Sequence, residues 1–565
     1  MQKAYFEYFW QMKSSFVFLF FGVSLCLQAQ HQDFPLNHDA YYFLEKYNAT
    51  AGSALRSSFK PYTRQTGVDI LQLTDGDSVR LFNGHYVQLE SREYLRTAAP
   101  PAKKSRVNPL YQYASDFYSY TDSSLNFHIN PVWQLNGGHE KNLSSPLFTN
   151  SRGIEARGTI DKRISFYTLF TENQAHYPQY VKHVADSTGV IPYQGFWKEY
   201  NTTHTDFLRS VGYVSAGITP HIEMQLGYGR HFIGQGERSL FLSDFSNSYP
   251  YARITTDIWK IKLTNLYAQM IADVYTYDGG TLGASSYPKK YMAAHYLEIN
   301  VAKNWTLGLF ESIVFGKADS LGGSRFKPEY LTPVVFYRAV EQQDGSADNA
   351  LLGLDFKWVI AKKASLFGQF VLDEMIISEL TAGNNWWGNK YGYQAGISLY
   401  DLAIPHLDLS LEHNTVRPFT YSHQDVYTSY THYLQPLAHP YGSNFRETLF
   451  KASYQPFGRY RLQLTAIHAM YGQDEGNGIS IGKNPAKSYN LREPGKEYGH
   501  TLGQGNLTHL RMFYLYNAYQ LMHNLFLDIS YTFRKESFEH SFTENTSSIF
   551  TAGFRLNITH RPNLF

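Results

Sequence analysis

The clearest feature of the chain is an alternation of apolar and polar residues over many segments of about ten residues. From Phe550 to Thr559 every second residue is apolar, and the residues between them are polar or glycine. The same alternation occurs over Leu527–Arg534, Ile222–Gly229, Leu352–Trp358 and Ile154–Ile160. Because successive side chains of a β-strand point to opposite faces, each segment is predicted to be a strand with one apolar and one polar face.

Strands of this kind fit a two-sheet sandwich, whose apolar faces meet in a core, or a membrane barrel, whose apolar faces meet lipid. The connections favour the barrel, because short turns alternate with long polar loops. The predicted turns are Asp161–Lys162, Thr219–Pro220, Ala302–Asn304 and Gln455–Gly458, and the longest loops are Val416–Asn444 and Gly472–Gly505. About 450 residues follow the N-terminal region, and at ~10 residues per strand they form roughly 18 strands, with 16 or 20 as alternatives. We therefore predict an all-β fold, a transmembrane antiparallel β-barrel of about 18 strands.

Composition agrees with this fold class. The chain contains 46 Tyr and 39 Phe, although its mean hydropathy is −0.38. Abundant aromatic residues in a chain of low hydropathy are typical of the aromatic girdles of membrane barrels. The net charge of +2 gives no field for binding a polyanion, so no nucleic-acid partner is expected. Cys26 is the single cysteine, which excludes a disulfide framework and cysteine-based catalysis in the mature chain.

The N-terminus predicts an export signal. Lys13 precedes the apolar run Phe16–Leu27, which has the length of a signal-peptide core and is too short for a spanning helix. Cleavage is expected after Ala29, so residues 1–29 are assigned to the signal peptide. Met12 is an alternative start to Met1.

The next segment differs from the rest of the chain. His38–Tyr47 predicts a short amphipathic helix, and Ala98–Ser105 has the composition of a linker. The first strand that the pattern identifies begins near Leu125. We therefore expect residues 30–115 to form a periplasmic segment that lies beneath the barrel or plugs it, and residues 116–565 to form the barrel.

Two sets of side chains are candidates for function. The first is a set of charges on predicted inner faces, which could form a salt-bridge network that stiffens the barrel or a conducting pathway: Glu155, Arg157, Asp355, Lys357 and Asp373. The second is a set of loop aromatics, which could stack on sugar rings or belong to a girdle: Trp386, Trp387, Tyr427, Tyr430 and Tyr433.

Catalytic, metal and cofactor sites are not expected. Gly234-Gln-Gly236 lacks the later glycine and Lys-Ser/Thr of a phosphate loop. His540 and Ser541 are adjacent, so they would face opposite sides of a strand and could not form a hydrolase pair. Five histidines near one long loop have no fixed ligand spacing: His406, His413, His423, His432 and His439. The sequence predicts a protein that is not an enzyme and binds no cofactor.

Several segments resemble one family of bacterial outer-membrane barrels. The glycine-rich segment Gly227–Asp244, with its Ser-Leu-Phe-Leu-Ser stretch, resembles the Wzi-type capsule assembly proteins. Asp348–Asp355, Phe367–Glu374 and Gly388–Gly396 look like successive strands of that group. Leu411–His423 and Leu437–Phe445 are similar to the related RemB-type gliding-motility proteins. The resemblance covers roughly residues 125–565.

This resemblance implies a barrel of about 18 strands, attachment of surface polysaccharide in the capsule branch, a cell-surface role in the motility branch, and neither catalysis nor a cofactor. The leading hypothesis is thus a non-enzymatic outer-membrane barrel, with its long loops extracellular, that binds or organises surface polysaccharide or adhesive material. The expected partners are outer-membrane lipid, the barrel-insertion machinery through the final aromatic residue Phe565, and extracellular polysaccharide or surface adhesins. The alternative is a porin for passive diffusion of small solutes.

Overall fold

The computed structural model describes residues 32–70, 76–94, 110–200, 204–272, 288–316, 326–333, 336–344, 348–476, 478–540 and 543–565. The predicted signal peptide and the predicted linker lie outside the described residues. Within the described part of the chain, no helix has the length and apolar character needed to cross a membrane.

Eighteen antiparallel strands close into a single barrel, which confirms the predicted fold. In chain order they are β1 (Leu125–Glu140), β2 (Leu147–Ile160), β3 (Ile164–His176), β4 (His204–Thr219), β5 (Ile222–Gly229), β6 (Tyr249–Ile258), β7 (Ile261–Ile271), β8 (Lys289–Ala302), β9 (Trp305–Phe315), β10 (Asn349–Ile360), β11 (Ala364–Glu374), β12 (Lys390–Leu399), β13 (Leu407–Val416), β14 (Phe445–Phe457), β15 (Tyr460–Gln473), β16 (Asn506–Met522), β17 (Leu525–Phe538) and β18 (Thr543–Leu556). Each strand pairs with its neighbour in the chain, and β18 pairs with β1, Leu556 opposite Trp133, to close the barrel. The short strand Tyr118–Thr121 pairs with the first part of β1 and continues the line of β18.

The alternation in the sequence sets which side chains face outward. On β5, Met224 and Leu226 are 37% and 54% exposed, whereas Gln225 between them is fully buried in the lumen. On β10, Leu354 is exposed and the adjacent Asp355 is buried. The predicted apolar faces therefore form the outer surface of the barrel, where lipid can cover them, and the polar faces line the lumen.

Connections of different lengths lie at the two ends of the barrel. Short connections such as 220–221 and 458–459 are at one end, which we call the turn end. Long connections such as 177–203, 417–444 and 474–505 are at the other, the loop end. Because the strand number is even, the start of β1 and the end of β18 both lie at the turn end.

Residues 32–70 and 76–94 form a plug in the turn end of the lumen. It contains helices α1 (Asp39–Thr50), α2 (Arg64–Ile70) and α3 (Ser78–Glu90), which confirms the predicted helix. Side chains cap two of them, because His38 accepts from the backbone of α1 and Asp77 accepts from the backbone of α3. A core of buried aromatic side chains holds the plug together: Phe34, Tyr41, Phe43, Tyr47, Tyr62 and Tyr86.

The sequence left open whether this segment lies beneath the barrel or plugs it, and the contacts of the segment correspond to a plug. Lys46 of α1 pairs with Asp408 of β13 at 2.9 Å, and Asp39 pairs with Arg461 of β15 at 2.7 Å. Asn83 of α3 donates to Gln455 of β14 at 2.9 Å. The segment lies inside the barrel because its charged and polar side chains find their partners on the inner wall.

The connection 230–248 between β5 and β6 also folds into the lumen. Its residues Phe232 and Ile233 pair with the short strand Phe59–Lys60 of the plug. Phe241 stacks on Phe310 of β9, with ring centroids 4.8 Å apart. The connection 230–248 therefore occupies the middle of the lumen between the plug and the wall.

The final segment, residues 557–565, leaves the wall and turns into the lumen. The predicted strand extends to Thr559, but β18 ends at Leu556, and Asn557 adopts the left-handed conformation with φ 52°. Phe565 is 8% exposed and packs against Tyr180 and Phe245. Phe565 is therefore a core residue of the lumen.

Candidate functional site

The five predicted lumen charges are buried, as expected, but they belong to separate groups rather than one network. Arg157 of β2 donates to Asp116 at 3.0 Å and lies 3.8 Å from Glu155. Lys357 of β10 pairs with Glu45 of α1 and so joins the wall to the plug. Each charge has a partner close by, which favours the stiffening role over a conducting pathway.

The remaining two charges are satisfied in the same way. Asp355 accepts a hydrogen bond from the hydroxyl of Tyr296 at 2.8 Å. Asp373 of β11 pairs with Lys390 of β12 at 3.0 Å and accepts from the backbone of Tyr421. Asp373 therefore fixes the start of the connection 417–444 to the wall.

Glu90 at the end of α3 bonds both the plug and the barrel wall. Arg64 lies 3.1 Å from it, and His523 and Asn524 of the turn after β16 both donate at 2.7 Å. Burial raises the pKa of Glu90, but hydrogen bonds from His38 and His523 and the charge of Arg64 outweigh it and hold the pKa well below its usual range. The ionised carboxylate therefore ties the plug to the turn end of the barrel.

Trp387, at the loop end, is the centre of an aromatic cluster that two loops build together. Its ring lies 4.8 Å from that of Tyr489 and 5.7 Å from that of Trp386. Its indole nitrogen donates to Glu497 at 2.6 Å, and the guanidinium of Arg492 lies 4.2 Å from its ring centroid. We call Trp386, Trp387, Tyr489, Arg492 and Glu497 the aromatic cluster. It combines apolar ring faces with one anion and one cation at the surface.

Backbone hydrogen bonds hold the aromatic cluster in place. The backbone of Gly499 donates to Asn384, and that of His500 donates to Asn385, both at 3.0 Å, so the connections 375–389 and 474–505 lie side by side. Arg417 bonds the carbonyl of Asn389 at 2.7 Å and reaches Trp386 and His500 as well. The cluster is therefore formed before any ligand arrives, which reduces the entropy cost of binding.

The carboxylate of this cluster is charged at neutral pH. The hydrogen bond from Arg492 is the main cause that lowers the pKa of Glu497, and the bond from Trp387 adds to it. The side chain of Glu497 stays open to solvent, so its oxygens can also accept from a ligand hydroxyl.

The three tyrosines predicted as sugar contacts lie elsewhere. Tyr427 is 4% exposed and Tyr430 is fully buried, where its ring stacks on that of Tyr421. Both predictions of sugar contact are wrong, because a ligand cannot reach these rings while the connection 417–444 is folded into the lumen. Tyr433 is half-buried and its ring packs on Phe196. Trp386 and Trp387 are half-buried as well, but they lie in the connection 375–389 and contact the connection 474–505.

The sequence-based reasoning missed Tyr489, Arg492 and Glu497. All three lie in a long loop that the sequence identified, but the pattern of that loop carries no sign of which residues meet the tryptophans. Their pairing joins positions about one hundred residues apart in the chain. A cluster of aromatic and charged residues in two different loops is a weak signal that could have suggested them.

Two further cavities lie in the lumen. The lower cavity, of about 350 Å³, lies between the plug and the turn-end half of the wall. The upper cavity, of about 220 Å³, reaches Gly137 and Phe148 at the loop ends of β1 and β2. His560, Pro562 and Leu564 line both cavities, so the final segment separates them.

The sequence predicted neither a phosphate-binding loop in the glycine-rich segment nor a metal site among the histidines. Gly234 donates its backbone N–H to Ser58 of the plug, and the backbone of Glu237 donates to Glu412 of β13. The backbone donors of this segment thus bind groups of the protein itself. Within the described residues, no group of three His, Cys, Asp or Glu side chains is placed to hold a metal ion.

Known structures share this architecture. Wzi of Escherichia coli, an outer-membrane protein involved in group 1 capsule assembly and described as a carbohydrate-binding β-barrel, matches with a TM-score of 0.56 and 12% identity over 94% of this chain and 100% of that chain. The fold is that of an outer-membrane β-barrel. The match to OprD of Pseudomonas aeruginosa covers 77% of this chain and 94% of OprD, with a TM-score of 0.41 and 10% sequence identity. The match to OccAB2 of Acinetobacter baumannii covers 77% of this chain and 99% of OccAB2, with a TM-score of 0.43 and 10% sequence identity. No protein-family model and no curated protein matches the sequence.

Proposed function

We propose that this protein is a non-enzymatic barrel of the bacterial outer membrane that binds surface polysaccharide at an extracellular loop end. The observation that carries the proposal is the aromatic cluster around Trp387. Ring faces pack against the C–H faces of sugars, while Glu497 and Arg492 beside them can accept from and donate to sugar hydroxyls. Likeness to Wzi supports the same assignment at the level of the fold.

The filled lumen supports binding over passive diffusion. The plug occupies the turn end, the connection 230–248 crosses the middle, and the final segment separates the two cavities. A porin needs a continuous aqueous path through the barrel. We therefore rank the porin alternative second and assign polysaccharide binding in capsule assembly first.

Other partners are expected at the outer surface of the barrel and during its assembly. Outer-membrane lipid would cover the outward apolar face, which includes Leu226 and Leu354. Recognition of Phe565 by the barrel-insertion machinery would precede folding, because this side chain is buried in the finished barrel. Deleting the gene and scoring both polysaccharide retention and surface spreading separates a role in capsule assembly from a role in gliding.

The test measures binding of polysaccharide, extracted from cells that make this protein, to the purified barrel in detergent micelles. Trp387→Ala removes the central ring and should weaken binding by roughly fivefold, since an aromatic contact is worth about 1 kcal/mol. Trp259→Ala is the matched control, because Trp259 is exposed in the turn between β6 and β7 at the opposite end. Equal binding by Trp387→Ala and Trp259→Ala would contradict the proposed site, and an open pore of nanosiemens conductance in the unmodified protein would favour the porin.

A further inference from the structure

The upper cavity carries positive charge that its own lining does not neutralise. Arg209 of β4 and Arg561 of the final segment line it and supply this charge. Among the described residues, no Asp or Glu lines this cavity. Most of its other polar lining is uncharged and can donate or accept hydrogen bonds, as in Gln134, Asn136, Thr149, Ser151, Asn173 and Thr551.

The guanidinium groups at this site have too few partners. Within the described part of the chain, Arg209 makes no side-chain hydrogen bond or ion pair, and its Nε is buried without a partner. Arg561 pairs with Asp244 at 2.8 Å through Nη2, but its Nη1 is unpartnered. Arg230 next to them bonds only carbonyl oxygens, including that of Tyr193 at 2.6 Å. Among the described residues, Asp244 is the carboxylate close to all three of these arginines.

The electrostatic consequence is visible at Arg230, which lies outside the strands. Burial, together with the nearby charges of Arg561 and Arg209, lowers the pKa of Arg230 well below its usual value. Removing a charge from water without a counter-charge is unfavourable, so a cavity of this kind gains stability when an anion enters.

The lower cavity shows that this imbalance is not a general feature of the lumen. There, Arg461 pairs with Asp39 at 2.7 Å, and Lys451 pairs with Glu237 of the inward connection. Carboxylates and cations therefore match each other in the lower cavity. Of the two cavities, the upper one is lined by described arginines whose guanidinium nitrogens include buried donors without a partner.

We propose that the upper cavity binds a sugar unit that carries a carboxylate, such as a hexuronic acid residue of the polysaccharide. The inference rests on the proposed function, since it names the sugar chemistry of the same ligand. Arg209 and Arg561 would hold the carboxylate, because planar guanidinium groups match its two oxygens. The neutral amides and hydroxyls of the lining would bond the sugar hydroxyls, and the ring of Tyr177 would border the ring of the sugar.

The size and position of the cavity fit this ligand. A volume of about 220 Å³ lies below the ~300–1,000 Å³ of pockets for drug-sized ligands, which limits the occupant to about one sugar ring. The lining includes Gly137 and Phe148 at the loop ends of β1 and β2, the same end of the barrel as the aromatic cluster. A chain held at the loop end could therefore place one acidic unit in the cavity.

The experiment is calorimetric titration of the full-length protein in detergent with glucuronate, glucose and inorganic phosphate. Glucuronate should bind at least about tenfold more tightly than glucose, because glucose lacks the charge-assisted bonds. Arg209→Gln should weaken glucuronate binding by about tenfold or more, and Arg209→Lys should give an intermediate value. Because no described residue forms a hydrogen bond or ion pair with the Arg209 side chain, its replacement should leave the barrel folded, which heat-modifiability on gels checks.

Arg152→Gln is the matched control, since Arg152 is an exposed arginine on the outer face of β2 and should leave glucuronate binding unchanged. Equal binding of glucose and glucuronate would overturn the inference, as would a normal affinity in Arg209→Gln. Phosphate binding as tight as glucuronate would overturn the assignment to a sugar. If Arg209→Gln retains full polysaccharide binding while Trp387→Ala loses it, this inference fails and the proposed function stands.

Discussion

Removal of the final segment should open a path through the closed barrel. Phe565 is buried against Tyr180 and Phe245, and the carbonyls before it accept from Arg238 at 2.6 Å and from Tyr180 at 2.7 Å. This segment separates the upper and lower cavities, which lie toward opposite ends of the lumen. Deleting residues 559–565 should therefore join the two cavities and allow ions to pass.

A single substitution should give a smaller version of the same effect. Phe565 is 8% exposed, so Phe565→Ala removes most of the burial of one large apolar side chain, roughly 2–3 kcal/mol. At about 1.4 kcal/mol per tenfold, the equilibrium between docked and undocked segment shifts by roughly 30- to 140-fold. Brief openings should become frequent while the segment stays docked for most of the time.

Planar-bilayer recording distinguishes these states directly. The unmodified protein should stay closed, Phe565→Ala should show transient openings, and the deletion should show a steady conductance. Phe550→Ala is the matched control, because Phe550 of β18 is 52% exposed on the outer face and touches nothing in the lumen. A deletion variant that folds, as heat-modifiability on gels would show, and still stays closed would refute the role given to this segment.

Three further predictions test other parts of the structure. Leu527→Arg should impair barrel assembly, since a cation at mid-bilayer on the lipid face costs ~2–4 kcal/mol. Ser530→Arg should be tolerated, because Ser530 lies on the lumen face. Equal yields of heat-modifiable barrel from the two variants would mean that the lipid and lumen faces are assigned wrongly. The pKa of Glu90 is lowered in the folded protein, so its bonds stabilise plug docking fully above the ordinary carboxyl pKa of about 4.3. This stabilisation is lost as pH falls through the lowered pKa, and proteolysis of the plug should therefore increase in acid. At neutral pH, Glu90→Gln should reduce the stability of plug docking by about 3–5 kcal/mol. An epitope inserted after Lys496 should be reached by antibody on intact cells, whereas one inserted at Gly458 should be reached only after permeabilisation, and the reverse result would invert the orientation.

The strand pattern was readable from the sequence because it depends on local physics. Met224 and Gln225 alternate between lipid and lumen whatever the distant parts of the chain do, since the backbone of a strand sends neighbouring side chains to opposite faces. Turns such as 220–221 and the loop 417–444 were located by the same local reasoning. The helix that contains Tyr41 and Leu44 was predicted from its own amphipathic repeat.

The site was only half readable for the opposite reason. Trp386 and Trp387 are adjacent in the chain and aromatic, so composition alone marks them. Tyr430 has the same chemistry and lies in a loop of similar composition, yet it is buried. What separates them is the fold of each loop, because connection 417–444 enters the lumen and connection 375–389 stays at the surface.

The sequence by itself determined where the strands lie and which of their faces are apolar, since both follow from a two-residue repeat. Connection lengths then favoured a barrel of about 18 strands and left 16 or 20 open. Only the tertiary structure decided what fills the lumen. Glu45 pairs with Lys357, Arg238 pairs with Glu447, and Arg561 pairs with Asp244. In each pair the two residues lie more than two hundred positions apart in the chain. These pairings place the plug, the inward connection and the final segment inside the barrel. Such contacts have no local pattern, because they depend on which side chains the closed wall brings together in space.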